Sequence, residues 1–86
     1  MSLLSENIIP GNHGKVFGTN AKDQKDLERI KNKVLSLKGI KDVKINSEVF
    51  PREFTVYTSE LVKVEDIEDK VKLTGFHAIP KDLFKL

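Results

Sequence analysis

The sequence has no cysteine, no tryptophan and no long apolar run. Without cysteine there is no disulfide, no thiolate nucleophile and no soft sulfur ligand for a metal ion. The longest uninterrupted apolar stretches are pairs such as Leu3-Leu4, Ile8-Ile9 and Leu61-Val62, far short of the ~20 residues that span a bilayer. No basic start followed by an apolar segment marks a secretory signal. An excess of one charge is missing too: 15 basic and 13 acidic residues interleave to a net +2. A nucleic-acid binder usually shows a basic stripe instead. These absences together predict a soluble, cytoplasmic protein whose core holds by packing alone.

What is present fits one small domain. A chain of 86 residues buries roughly 60–65% of its unfolded surface, enough for a thin two-layer core. Residues 1–14 read as a leader with a turn at Pro10-Gly11-Asn12, and Met1-Ser2-Leu3 is compatible with a vector-derived start. Lys15-Val16-Phe17 is a short strand ending at Gly18. Leu27, Ile30, Val34, Leu35 and Leu37 then fall on one stripe of an amphipathic helix, stopped by Lys38-Gly39. Val43-Lys44-Ile45 and Phe54-Thr55-Val56 alternate as strands, joined by a turn that contains Pro51. Val64, Ile67, Val71 and Thr74 form a second helical stripe that stops at Gly75. Phe76, Ala78 and Ile79 make a last short strand before Pro80, which leaves residues 81–86 as a charged tail.

The order strand, helix, strand, strand, helix, strand carries an internal echo. Leu37-Lys38-Gly39-Ile40-Lys41-Asp42-Val43 matches Leu73-Thr74-Gly75-Phe76-His77-Ala78-Ile79 in its apolar and glycine positions. Two such halves, each with a right-handed crossover, interleave into an α+β, ferredoxin-like βαββαβ sandwich. It has a four-stranded antiparallel sheet with both helices on one face and spans residues 15–80. Three connections then share one edge: Gly18 to Asp26, Asn46 to Glu53, and Leu73 to His77. That edge is the candidate site, because a helix N-terminus directs its free N–H groups there. Asp23 and Asp26 suit a helix start, as N-cap and first-turn acid that oppose the dipole. His13 is placed at the opposite edge. No nucleophile–base constellation is visible, so the protein is not expected to be an enzyme.

From about Lys15 to Ile79 the chain resembles the heavy-metal-associated (HMA) domain of copper chaperones and metal-pumping ATPases. The residues that carry the resemblance are Val16 and Gly18, the run Leu37 to Ile45, Phe54-Thr55-Val56, and Val64-Glu65-Asp66-Ile67 through to Thr74-Gly75-Phe76-His77-Ala78. The resemblance implies metal-ion binding or transport, with a metal-transport protein as partner. HMA domains hold a soft ion with two cysteines at the start of the first helix, and the matching positions here are Asp23 and Asp26. His77 occupies a loop where some copper chaperones place a histidine on the metal. Carboxylates favour hard divalent ions over Cu(I), so the resemblance implies a diverged, cysteine-less member, with Asp23, Asp26 and His77 as the candidate set for a divalent metal ion. The same resemblance sets Lys63 where the family has a serine-like cap on the second helix.

Two other readings start from the same topology. The leader, the Leu83-Phe84-Leu86 tail and the open sheet face suit a protein-interaction module or homodimer. The RNA-recognition motif shares the strand order, with Phe17 and Tyr57 as exposed aromatics for base stacking. Against it, Glu53 follows Arg52 where that family has glycine.

Overall fold

A computed structural model describes residues 7–86. In chain order the elements are β1 (Ile8–Ile9), β2 (His13–Thr19), α1 (Gln24–Leu35), β3 (Ile40–Asn46), β4 (Glu53–Thr58), β5 (Val62–Lys63), α2 (Val64–Lys72) and β6 (Ala78–Lys85). Four strands form an antiparallel sheet in the order β3-β4-β2-β6, the ferredoxin-like arrangement, and β1 and β5 pair separately.

The helices form because their apolar positions recur on one face. Leu27, Ile30 and Val34 are the buried residues of α1, and Val64, Ile67 and Val71 those of α2. Leu35, part of the predicted stripe, lies at the surface. Both helices are followed by a glycine with positive φ, Gly39 at 94° and Gly75 at 91°, which releases the chain into β3 and towards β6. The helices pack against Phe54, Val56 and Val43 of the sheet. Burial of these side chains, at about 1.5–3 kcal/mol each, is the main force that holds the two layers together.

Phe17 does not stand exposed as the sequence suggested. It is fully buried, and its ring stacks on Phe54 across the β2–β4 pair, centroids 5.3 Å apart. Its strand alternates, and the helix layer claims the face that carries Phe17. Tyr57, on the other face, is half-buried and meets Phe84 edge-on at 6.2 Å.

The last strand also differs from its expected length. It does not stop before Pro80 but continues to Lys85, paired with β2 from Thr19↔Ala78 to His13↔Lys85. β6 is an edge strand, the kind of strand in which a proline is tolerated. The register shifts by one residue between Lys15↔Leu83 and Phe17↔Pro80. At that shift, the nearly buried Lys15 donates from Nζ to the Lys81 carbonyl at 3.1 Å.

At the other end of the chain, Ile9 lies in the core, and Ile8 and Ile9 pair with Lys63 and Val62. Thr58 ties this segment to the sheet, with Oγ1 donating to the Pro10 carbonyl at 2.6 Å and accepting from the His13 N–H at 3.1 Å. Leu3, Leu4 and the Met1-Ser2-Leu3 start lie outside the described residues. Among the described residues, no helix is long and apolar enough to cross a membrane.

Candidate functional site

The edge where α1 begins is built by three connections that hold each other by backbone-directed bonds. The Thr19 N–H donates to the Arg52 carbonyl at 3.0 Å, which fixes the first loop to the β3–β4 hairpin. Asn20 Oδ1 accepts from the His77 N–H at 2.9 Å, which fixes that loop to the α2–β6 connection. The hairpin turns through a cis peptide bond between Phe50 and Pro51.

Asp23 occupies the N-cap of α1, with extended backbone (φ −83°, ψ 146°), and its carbonyl accepts the Leu27 N–H at 3.0 Å. Its side chain makes no capping bond, so the carboxylate acts on the helix start through its charge alone. Asp26, in the first turn, pairs with Arg29 at 3.6 Å, one turn along the helix. His77 is exposed, and the bond to Asn20 uses its backbone rather than its ring. Among the described residues, no three of His, Asp and Glu are grouped so as to hold a metal ion. His13 lies away from this edge at the start of β2, with Nδ1 2.9 Å from the Gly11 carbonyl.

Beside the helix start, two shallow hollows of about 200 and 170 Å³ lie on either side of Thr19, Asn20 and Pro51. The first reaches Phe50 and Arg52, the second Ile79 and Lys81. Arg52 donates from Nη1 to the Val49 carbonyl at 2.8 Å, while its Nε is buried without an acceptor. Lys81 reaches across Gly18 to Glu53, Nζ to Oε2 at 3.0 Å. Sequence reasoning did not single out Asn20, Arg52, Ile79 or Lys81 for this edge. Nothing in a linear string reports that residues 57 positions apart share a hydrogen bond.

The fold is that of HMA domains. The copper(I)-loaded first domain of the human copper chaperone for superoxide dismutase superposes with a TM-score of 0.68 at 17% identity, over 81% of this chain and 93% of that one. The apo HMA domain of a copper chaperone for superoxide dismutase gives 0.67 at 18% identity, over 85% of this chain and 71% of that one. A copper-binding domain from HMA7, a P-type ATPase, gives 0.68 at 18% identity, over 83% and 96%. No family model matches the sequence, and no curated protein matches it. The HMA-like fold is therefore carried by backbone path and core pattern rather than by close sequence similarity.

Proposed function

We propose that the protein is a binding domain of the HMA type that docks onto a metal-handling partner protein without itself carrying a soft metal ion. The observation that supports this reading is the start of α1. The resemblance puts the metal-holding cysteines at Asp23 and Asp26; here one is the helix N-cap and the other is paired with Arg29. A carboxylate pair is a poor Cu(I) ligand, and both residues have structural work at the helix N-terminus. The surrounding loops are cross-tied by the Thr19–Arg52 and Asn20–His77 hydrogen bonds, which gives a defined edge suited to recognition of a folded surface.

Two measurements test the two halves of the proposal. In competition with a chromogenic Cu(I) chelator, the protein is expected to leave the chelator fully loaded; withdrawal of one equivalent overturns the ion-free half. Calorimetry with Zn²⁺, Mn²⁺ and Mg²⁺ covers the hard-ion alternative. Saturable heat lost in the Asp23→Ala/Asp26→Ala/His77→Ala variant would make those three residues a divalent-ion site instead. For the docking half, a copper-binding domain of a P-type ATPase is titrated into ¹⁵N-labelled protein. Shifts concentrated in residues 20–26, 47–52 and 73–77 are expected, and an unchanged spectrum overturns it.

A further inference from the structure

We propose that the paired hollows around Pro51 form a docking groove for an extended protein segment that presents apolar side chains flanked by carboxylates. The proposal concerns a surface next to Asp23 and Asp26 and needs no metal ion in either partner.

Three observations lead to that chemistry. First, the groove is walled by apolar side chains that a soluble chain gains nothing by exposing: Phe50 is 76% and Ile79 62% exposed. They stand at its two ends, with Pro51 between them. Covering such groups is worth about 25 cal/mol per Å² of apolar area removed from water. Second, every ionisable side chain that lines the two hollows is a cation: Lys22 and Arg52 on one side and Lys81 on the other. The chain as a whole is nearly balanced, at 15 basic and 13 acidic residues, so this bias is local. Glu53 neutralises only Lys81. Third, the Arg52 Nε is buried with no acceptor, and its guanidinium carbon sits 6.0 Å from the Phe50 ring centroid. The Nε itself is enclosed and out of a ligand's reach, but the guanidinium stands beside the exposed Phe50 ring, so an apolar anchor on that ring brings a flanking carboxylate next to this cation. The groove therefore selects for anchors that are apolar and surroundings that are acidic. A polyanion satisfies only the second requirement, and a second copy of this chain meeting groove to groove, with cations on both sides, satisfies only the first.

The test uses a fluorescein-labelled peptide of sequence Asp-Glu-Leu-Phe-Asp-Glu and the full chain. Fluorescence anisotropy is expected to show saturable binding that weakens about tenfold or more when the four acids are replaced by lysine, as charge steering requires. A similar loss is expected when Leu and Phe are replaced by serine. Ile79→Ser and Lys81→Gln should each weaken binding severalfold, whereas Lys70→Gln, on α2, should leave it unchanged. Ile79 and Lys81 are exposed, so neither substitution threatens the fold, and an unchanged thermal midpoint documents this. Equal affinity for the serine peptide, displacement of the peptide by single-stranded RNA, or concentration-dependent dimerisation blocked by Ile79→Ser would each overturn the proposal. So would the absence of binding at millimolar peptide.

Discussion

Phe84 lies over Gly14. The two residues face each other across the β2–β6 pair, and a Cβ at position 14 would run into the Phe84 ring. The ring in turn meets Tyr57 edge-on, so a strand position without a side chain seats an aromatic pair on the face of the sheet away from the helices. Gly14→Ala should therefore cost about 1–3 kcal/mol through overpacking. The penalty should shrink in a Phe84→Ala background, because the two positions are coupled. A urea double-mutant cycle measures the coupling, and simple additivity would show that the ring moves aside freely.

Lys63 holds the N-cap of α2 and makes no side-chain capping bond. A cation there opposes the helix dipole, while Glu65 and Asp66 in the first turn favour it. Lys63→Ser should raise stability by about 0.5–1 kcal/mol. The check is the midpoint of denaturant unfolding, which should move up with the slope unchanged.

Thr58 has no exposure to solvent, and its hydroxyl bonds both Pro10 and His13. Thr58→Val keeps the shape and removes both bonds, leaving buried polar groups unmet at a cost of about 1–3 kcal/mol. Amide exchange at Asn12 and His13 should accelerate more than exchange in α1. Uniform acceleration across the chain would mean that Thr58 has no special hold on residues 8–13.

Lys15 is only 5% exposed, and Lys81 O is its hydrogen-bond acceptor, at 3.1 Å. A buried ammonium with few partners is held at a desolvation cost. Lys15→Met preserves the length of the apolar stem and should stabilise by about 1 kcal/mol, as replacing buried charge by apolar volume often does. Thermal unfolding decides; a lowered midpoint would show that the bond at the register shift outweighs the burial.

Gly39 and Gly75 share a positive φ but differ in surroundings. A Cβ on Gly39 would come within 2.9 Å of Val62 Cγ2, whereas one on Gly75 would meet nothing within 4 Å. Gly75→Ala should cost about 1–2 kcal/mol, the conformational penalty alone. Gly39→Ala should cost more, since Val62 belongs to β5 and cannot move without disturbing Ile9 opposite. Equal losses in chemical denaturation would discount the steric term.

The parts of the fold legible in the sequence were those written in local period. Leu27, Ile30 and Val34, and again Val64, Ile67 and Val71, mark helix faces that the structure buries. Gly39 and Gly75 mark where the helices release the chain. What was not legible depends on pairing between distant segments. Pro80 read as a strand stop because its tolerance rests on being in an edge strand beside β2. Phe17 read as exposed because alternation gives two faces without saying which one the helices cover. At the candidate site, Asp23 could be placed at a helix start from its spacing. The ties from Thr19 to Arg52 and from Asn20 to His77 depend on the finished topology.

The aromatic pair over Gly14 also gives the molecule an optical handle. Tyr57 is its single tyrosine, and there is no tryptophan to mask it. Its emission and the tyrosine band of the near-ultraviolet dichroism, which lies to longer wavelength than the bands of the five phenylalanines, therefore report one place, the contact with the Phe84 ring of β6. Any event that peels this edge strand from the sheet becomes visible in unlabelled protein, separately from the far-ultraviolet signal of the two helices.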